Sequence, residues 1–420
     1  MKIIVSHIGK QHVNAFLVAL SKHNVLTHFY TSIAANKMRL PKSLGFGIGK
    51  KLLSKIHKQR YMGIEDNKIT HFPLIAAVKK FTKSEYMGLK YCQKWFDQRV
   101  AKILRRADFD ILIGYETSNL ESFKVAKERG KITVLDMTAV HHAFQNPILT
   151  EAGVYKNSDE LAYISEMKDQ ALAYTDYIIA LSSFAEKTLT DNGFPADRIY
   201  KTFLGINQKV FQPKAKYNVT PSNIANSKDG GTNPVLELYF VGTLSLRKGL
   251  PLLMNVLDTL VKRHLNVRLT LIGPFDDFPP PTLDVPYFRY IPFLSHAELV
   301  EIHHTLDLFL FPSNIDSWAQ VVIEAMACGS PALVSENTGS KDAVMQGGGA
   351  ILPIGDLDAW VNAIEKYFYN RDLLKIDGEK AAEVAHQYTW EAYHHQVFDV
   401  MVDIEKRASN FVTKSAQYAV

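Results

Sequence analysis

Short apolar runs alternate with longer amphipathic stretches along most of the chain. Lys2–Ser6, Ile111–Tyr115, Ile132–Asp136, Tyr177–Leu181, Leu236–Gly242, Arg268–Gly273, Leu308–Phe311 and Pro331–Ser335 read as buried strands. Helical stretches of ten or more residues separate most of them, as after the first strand, where Val13, Phe16, Leu17 and Leu20 keep helical spacing. Apolar strands alternating with helices predict parallel sheets and an α/β fold. The last stripe, Trp390, Tyr393, Val397, Val400, Met401 and Ile404, follows Thr389, a helix N-cap residue.

Residues 213–234, PKAKYNVTPSNIANSKDGGTNP, break this rhythm. They are polar and rich in Asn, Ser, Pro and Gly, as a linker or loop is. This divides the chain into a domain over residues 1–212, a linker over 213–234, a second domain over 235–388 and a terminal helix over 389–420. A length of 420 residues also asks for two cores. Ligands of open α/β sheets bind beyond the carboxyl ends of the strands, so the turns there are searched for chemistry.

Charge sharpens the division. Residues 1–100 carry 18 Lys and Arg against 4 Asp and Glu, although the whole chain is only +5. An anionic partner or surface is expected on the N-terminal half. The segment 47–61, GIGKKLLSKIHKQRY, sets Ile48, Leu52 and Ile56 apart from Lys51, Lys55 and Lys58. It suits either an interfacial helix on an anionic membrane or a solvated helix face. No recognition motif points to nucleic acid. The two cysteines, Cys92 and Cys328, make no disulfide or zinc framework. With no signal-like start and no membrane span, a cytoplasmic protein is expected, peripheral at the membrane if the basic segment binds it.

Two constellations carry candidate chemistry. In "DSWAQVVIEAMACGSP", 316–331, Glu324 is the one carboxylate in a run that is apolar from Val321 to Cys328. A helix apolar all round is expected to be buried, and a buried carboxylate needs donors. A structural ion pair and the hydroxyls of a ligand meet that need equally well. Amides at Ala319, Gln320 and Val321 open the helix and form an anion site, with Asp316 or Ser317 able to cap it. In "YFVGTLSLRKGLPLL" a strand leads to Arg247, Lys248 and Gly249, and two adjacent cations suit a diphosphate or a plain solvated turn. Asp108-Phe109-Asp110 and Asp356-Leu357-Asp358 are better read as strand and helix edges than as metal ligands. The pairs His141-His142, His303-His304 and His394-His395 are expected to face apart, so no metal is expected. One glycine in HIGKQH does not make a dinucleotide fingerprint.

Together these stretches resemble the family 4 glycosyltransferases of the GT-B fold. The strand, turn and "RKG", the acid-seven-acid spacing of Asp316 and Glu324 running into "EAMACGSP", "LGINQKVFQP", "ENTGSKDAV", "GGGAILPIGDLDAW" and "YTWEAY" stand in the family's order. The resemblance implies two Rossmann-like domains facing across a cleft, with the terminal helix crossing back to the first. It implies a nucleotide-sugar donor, a glycan or lipid-linked acceptor, retention at the anomeric carbon, no metal, and a role in bacterial surface polysaccharide or glycolipid assembly. By the same resemblance Glu324 holds the ribose hydroxyls and Asp316 lies by the donor sugar. The amides around Gln320 and Val321, with Ser317, Trp318 and Ala319 just before them on the donor side, lie near the diphosphate and sugar, Lys248 neutralises the leaving diphosphate, and Gly9 and Lys10 form the first turn. His141 is the best match to the active-site histidine, with His142 the runner-up. Three departures stand out. Asp316 replaces a Glu, Thr243 replaces an Arg for which Arg247 is the expected substitute, and Ser317-Trp318-Ala319 replaces Gly-Phe-Gly, which is expected to narrow the sugar pocket. A non-catalytic GT-B scaffold is the alternative these departures suggest.

Overall fold

Strands made of uninterrupted Ile, Leu, Val and Phe satisfy both faces only between two layers of helix. That is the arrangement in the computed structural model, which describes residues 1–9, 12–37, 60–81, 88–154, 158–213, 234–279 and 285–417. The first sheet contains β1 (Ile3–Ser6), β2 (Leu26–Thr31), β3 (Ile69–His71), β4 (Ile111–Tyr115), β5 (Ile132–Met137), β6 (Tyr177–Ala180) and β7 (Ile199–Lys201). Its order is β3-β2-β1-β4-β5-β6-β7, every pair parallel. The second contains β8 (Leu236–Val241), β9 (Val267–Ile272), β10 (Phe288–Ile291), β11 (Leu308–Phe311), β12 (Ala332–Ser335) and β13 (Gly349–Leu352), in the order β10-β9-β8-β11-β12-β13, again all parallel. All eight strands expected from the apolar runs are present. The five others, β2, β3, β7, β10 and β13, are short or carry polar residues between the apolar ones, as Thr27 and His28 do in β2.

The helices used below are α1 (Val13–Lys22), α2 (Lys94–Leu104), α3 (His142–Glu151), α4 (Ser183–Thr190), α5 (Leu250–Lys262), α6 (Gln320–Ala327) and α7 (Trp390–Gln417). Phe16, Leu17 and Leu20 of α1 pack with Ile3 and Val5 of β1 on one face of the first sheet. Phe96, Val100 and Leu104 of α2 pack with Ile4 and Leu112 on the other. The terminal helix α7 lays Tyr393, Val397, Val400, Met401 and Ile404 into the α1 layer, so this helix returns to the first sheet. Thr389 caps it, its Oγ1 accepting from the Ala392 amide at 2.9 Å.

The chain passes between the two sheets twice, side by side. Ile206 donates its amide to Tyr388 O at 2.9 Å, and Ile206 and Thr389 form a parallel bridge. A Cβ on Gly205 would stand 2.3 Å from the Trp390 nitrogen, so only glycine lets the two crossings touch. Most of the expected linker, residues 214–233, and most of the basic segment, residues 47–59, lie outside the described residues, as does Lys10. Among the described residues no helix is long and apolar enough to cross a membrane.

Candidate functional site

Each sheet reverses its strand order once, between β1 and β4 in the first and between β8 and β11 in the second. Loops on either side of such a reversal part and leave a crevice at the carboxyl ends of the strands. In the second sheet the two flanking loops are the Arg247-Lys248 turn, after β8, and residues 312–319, after β11.

These two loops are joined by backbone and side chain. Asn314 donates its amide to Arg247 O at 3.0 Å and its Nδ2 to Leu246 O at 3.1 Å. Arg247 donates Nη1 to Ile315 O at 3.1 Å. Gly249 has φ 72°, and a Cβ there would lie 1.9 Å from Pro312 O. Glycine is therefore required twice over, for the left-handed turn and for the close approach. The result fixes two cations beside the start of α6.

Lys248 is 9% exposed. Its ammonium donates to Asp316 Oδ2 and stands 4.7 Å from the Phe311 ring centroid. Arg247 Nη1 is 3.8 Å from the same carboxylate oxygen, and the Trp318 amide donates to Oδ1 at 3.1 Å. Burial by itself opposes the Asp316 charge, but Lys248 and then Arg247 outweigh it and hold the carboxyl below its ordinary range. For Lys248, burial pulls the ammonium pKa down, against Asp316, which supports the charge. Asp316 is thus a counter-ion of the cationic turn as well as a residue of the site.

The helix α6 corrects one expectation. Val322, Ile323, Ala325, Met326 and Ala327 are buried, but Gln320, Val321 and Glu324 are half-buried. The helix is sealed on most of its circumference and open along one edge. Burying Val322, Ile323 and Met326 stabilises it by roughly 1.5–3 kcal/mol each, which holds that edge in place. The Glu324 carboxylate has no hydrogen bond or ion pair with any described residue, and burial alone pushes its pKa up to about 7. The structural ion pair that sequence left open is absent among the described residues. At the head of the helix the amides of Ala319, Gln320 and Val321 likewise donate to no described acceptor. Free amides and an unpartnered carboxylate about one turn on describe a place for an anion followed by hydroxyls.

Ala319 enters the helix at φ 61°, ψ 67°. That left-handed conformation costs a non-glycine residue on the order of 1 kcal/mol. We expect Ala319→Gly to stabilise the protein by about 1 kcal/mol in chemical denaturation. An unchanged or lower midpoint would show that the strain is not there.

Ser317 and Trp318 make contacts with the first half of the chain. The Ser317 hydroxyl donates to Thr138 O, after β5, and Ser317 O accepts from the Ser182 hydroxyl at 2.8 Å. Trp318 is 3% exposed. Its ring lies 6.3 Å from Phe203 and 5.5 Å from Tyr388, in the strip where the chain crosses between sheets. The indole packs in that strip and lines a cavity with Thr202, Phe203 and Asp342. Gln320 also reaches the strip, donating Nε2 to Gly205 O at 2.9 Å. Thr243 is exposed, and Gly9 is half-buried with its amide donating to His7 Nδ1 at 3.0 Å.

His141 caps α3, its Nδ1 accepting from the Ala143 amide at 3.2 Å, while its own amide donates to Thr188 Oγ1 at 3.0 Å. Burial, and then His142, lower its pKa to about 4, so the imidazole is neutral at pH 7. The expectation that His141 and His142 face apart fails, because His141 lies outside the helix. The rings stack at 4.4 Å, and with Asp169 they bring three ligand-type atoms within 4.8 Å of one another. His142 Nε2 already pairs with Asp169 at 3.1 Å. Asp356 is an N-cap, as expected, accepting from the Ala359 amide at 2.9 Å.

A second group escaped the sequence reading. At the crevice of the first sheet, His12 Nε2 meets Asp136 Oδ2 at 2.7 Å, both side chains 5% exposed. The other His12 ring nitrogen has no described partner. His7 lies close by, its ring 3.9 Å from Tyr115 and its pKa lowered to about 4 by burial and then by His12. The two partners stand 124 residues apart, so no local pattern shows the pair.

Comparison with known proteins comes to the same fold. Residues 227–384 match the family model "Glycosyl transferases group 1". The chain is 26% identical over 222 residues to D-inositol 3-phosphate glycosyltransferase of Gordonia bronchialis, covering 48% of this chain and 47% of that protein. It is 24% identical over 230 residues to the capsular polysaccharide biosynthesis glycosyltransferase CapM of Staphylococcus aureus, covering 52% and 60%. The aligned part thus spans about half the length of these relatives. Among solved structures, sucrose-phosphate synthase from Thermosynechococcus elongatus superposes with TM-score 0.62 at 15% identity, over 97% of this chain and 100% of that one. Anabaena HepE in complex with UDP-glucose does so with TM-score 0.59 at 14% identity, over 96% and 100%. The architecture is the GT-B fold of two Rossmann-like domains.

Proposed function

We propose, from the match of residues 227–384 to the glycosyl transferases of group 1, that the protein moves a sugar from a nucleotide-sugar donor to a glycan or lipid-linked acceptor. The observation that carries this reading is the open edge of α6. Unused amides and the unpartnered Glu324 carboxylate lie along one helix, beside the bolted cations Arg247 and Lys248. A nucleoside diphosphate offers an anion for the amides and cations, and ribose hydroxyls for the carboxylate.

The chemistry follows from where charge develops. As the bond between the anomeric carbon and the diphosphate oxygen breaks, negative charge grows on the leaving group. Lys248, Arg247 and the helix amides would stabilise that charge. In the retaining course proposed here, the acceptor oxygen bonds on the face the diphosphate leaves. The acceptor proton passes to a leaving-phosphate oxygen, and no metal takes part. Neutral His141 orients the sugar without competing for that proton. The first-sheet crevice, with His12 held by Asp136, would receive the acceptor. A place in bacterial surface polysaccharide or glycolipid assembly agrees with what CapM is named for.

Thermal shift with UDP-, GDP- and ADP-sugars tests the reading, with uridine donors first because HepE holds UDP-glucose. A bound donor raises the melting point by mass action, and slow donor hydrolysis should accompany it. His141→Ala should lower turnover by about 100-fold with donor affinity nearly kept. Chelation should leave activity unchanged, and the product should keep the donor's anomeric configuration by NMR. If no nucleotide sugar stabilises a well-folded protein, the chain is a non-catalytic scaffold of the same fold.

A further inference from the structure

The helix α2 buries Phe96, Val100, Ala101 and Leu104 against the first sheet. Its other side is unusual for a solvated face. Tyr91, in the turn before it, is 54% exposed, Trp95 40% and Ile103 36%. Between and beyond them Lys94, Arg99, Lys102 and Arg106 are exposed, and none has an ion-pair partner among the described residues. The one acid of this stretch, Asp97, is turned inward. Its carboxylate accepts from the Glu121 amide at 2.6 Å and the Ser122 amide at 2.9 Å. Of the exposed cations here only Arg105 meets a carboxylate, Glu128 at 3.6 Å.

Solvated helices normally offset such charge with acids three or four residues away. Here like charges stand next to one another, and large apolar side chains stand in water between them. The helix Pro73–Phe81, which contacts the Gly88–Gln93 segment that leads into α2, also exposes apolar side chains, Leu74 at 70% and Val78 at 45%, one turn apart. Two unfavourable features sharing one surface are relieved together by a partner that is anionic outside and apolar beneath. A bilayer with acidic headgroups is such a partner. Lysine and arginine reach the phosphates, while Trp and Tyr sit at the headgroup boundary. A nucleic acid would satisfy the cations and leave Leu74, Val78 and Ile103 in water.

We infer that the outer face of α2, with Tyr91 and the adjoining Leu74 and Val78, docks on an anionic lipid surface. The site is separate from the basic segment 47–61 and independent of the proposed transfer activity. Docking here holds the first domain to the membrane by a face that does not touch the crevice residues His12 and Asp136.

The test is sedimentation of the full chain with vesicles of phosphatidylcholine, with and without phosphatidylglycerol. Binding is expected only with the anionic lipid and should weaken with salt. Lys94→Glu, Arg99→Glu and Lys102→Glu together should reduce the bound fraction by about tenfold or more. Trp95→Ser alone should weaken binding and leave its salt dependence unchanged. Circular dichroism confirms that each variant is folded. The inference is overturned if the wild-type chain ignores anionic vesicles or if duplex DNA displaces it from them. It is equally overturned if the charge-reversed α2 binds normally while Lys51→Glu, Lys55→Glu and Lys58→Glu together abolish binding.

Discussion

Glu324→Gln should make the ligand-free protein more stable at pH 8 and, at the same time, about 100-fold weaker for a nucleotide sugar. The first effect follows from linkage. The folded carboxyl is raised from an ordinary 4.5 to about 7. Between those values the folded chain holds a proton that the unfolded chain has released, so stability falls as pH rises through this window and stays low above it. The ceiling on the loss is about 3 kcal/mol, from roughly 1.4 kcal/mol per pH unit. Glutamine removes the charge and recovers part of it, so the melting point at pH 8 should rise by about 2 °C. At pH 4 the two proteins should melt together. The second effect reflects hydroxyl donors, each contributing about 1.5–3 kcal/mol to a charged acceptor. For the wild type, donor affinity should therefore strengthen between pH 6 and pH 8, and the variant should lack this slope. A variant that binds donor normally would remove Glu324 from the site.

Lys248→Met should cost more than any other single change near the site. It leaves Asp316 buried without its ammonium partner, and breaking a buried pair from one side destabilises by about 3–5 kcal/mol. It also removes a cation placed for the leaving diphosphate, which should lower kcat by about 100- to 1000-fold. The two effects separate in the double variant Lys248→Met, Asp316→Asn. Without the stranded charge most of the stability should return, while turnover stays low. If turnover returned as well, Lys248 would be a structural counter-ion and nothing more.

These predictions rest on features of different visibility in the sequence. The eight expected strands were legible because a run such as Leu308–Phe311, buried along its whole length, tolerates no polar interruption. The short edge strands were not, since β3 and β10 lie at sheet margins and need less apolar surface. The Arg247-Lys248 turn and Glu324 were legible because their neighbours in sequence are also their neighbours in space. The partner of Lys248 was not, because Asp316 comes 68 residues later through a separate strand. The same holds for His12 with Asp136. The direction of Trp318 could not be read either. Which way a loop side chain turns depends on the space offered by Phe203 and Tyr388, and those are set by the crossing of distant segments.

That crossing carries a mechanical consequence. Both covalent links between the halves run through one narrow strip at Gly205 and Thr389, where the two backbones touch. Bonds do not stretch, so the halves can part only by turning about this strip, as covers turn on a spine. Opposite it the halves are clasped by several bonds, among them the Ser317 hydroxyl to Thr138 O, the Ser182 hydroxyl to Ser317 O at 2.8 Å and the Ser183 amide to Asp342 at 2.7 Å. Ser317 stands next to Asp316 and two residues before the left-handed turn into α6, so one of these bonds is anchored beside the Lys248 site.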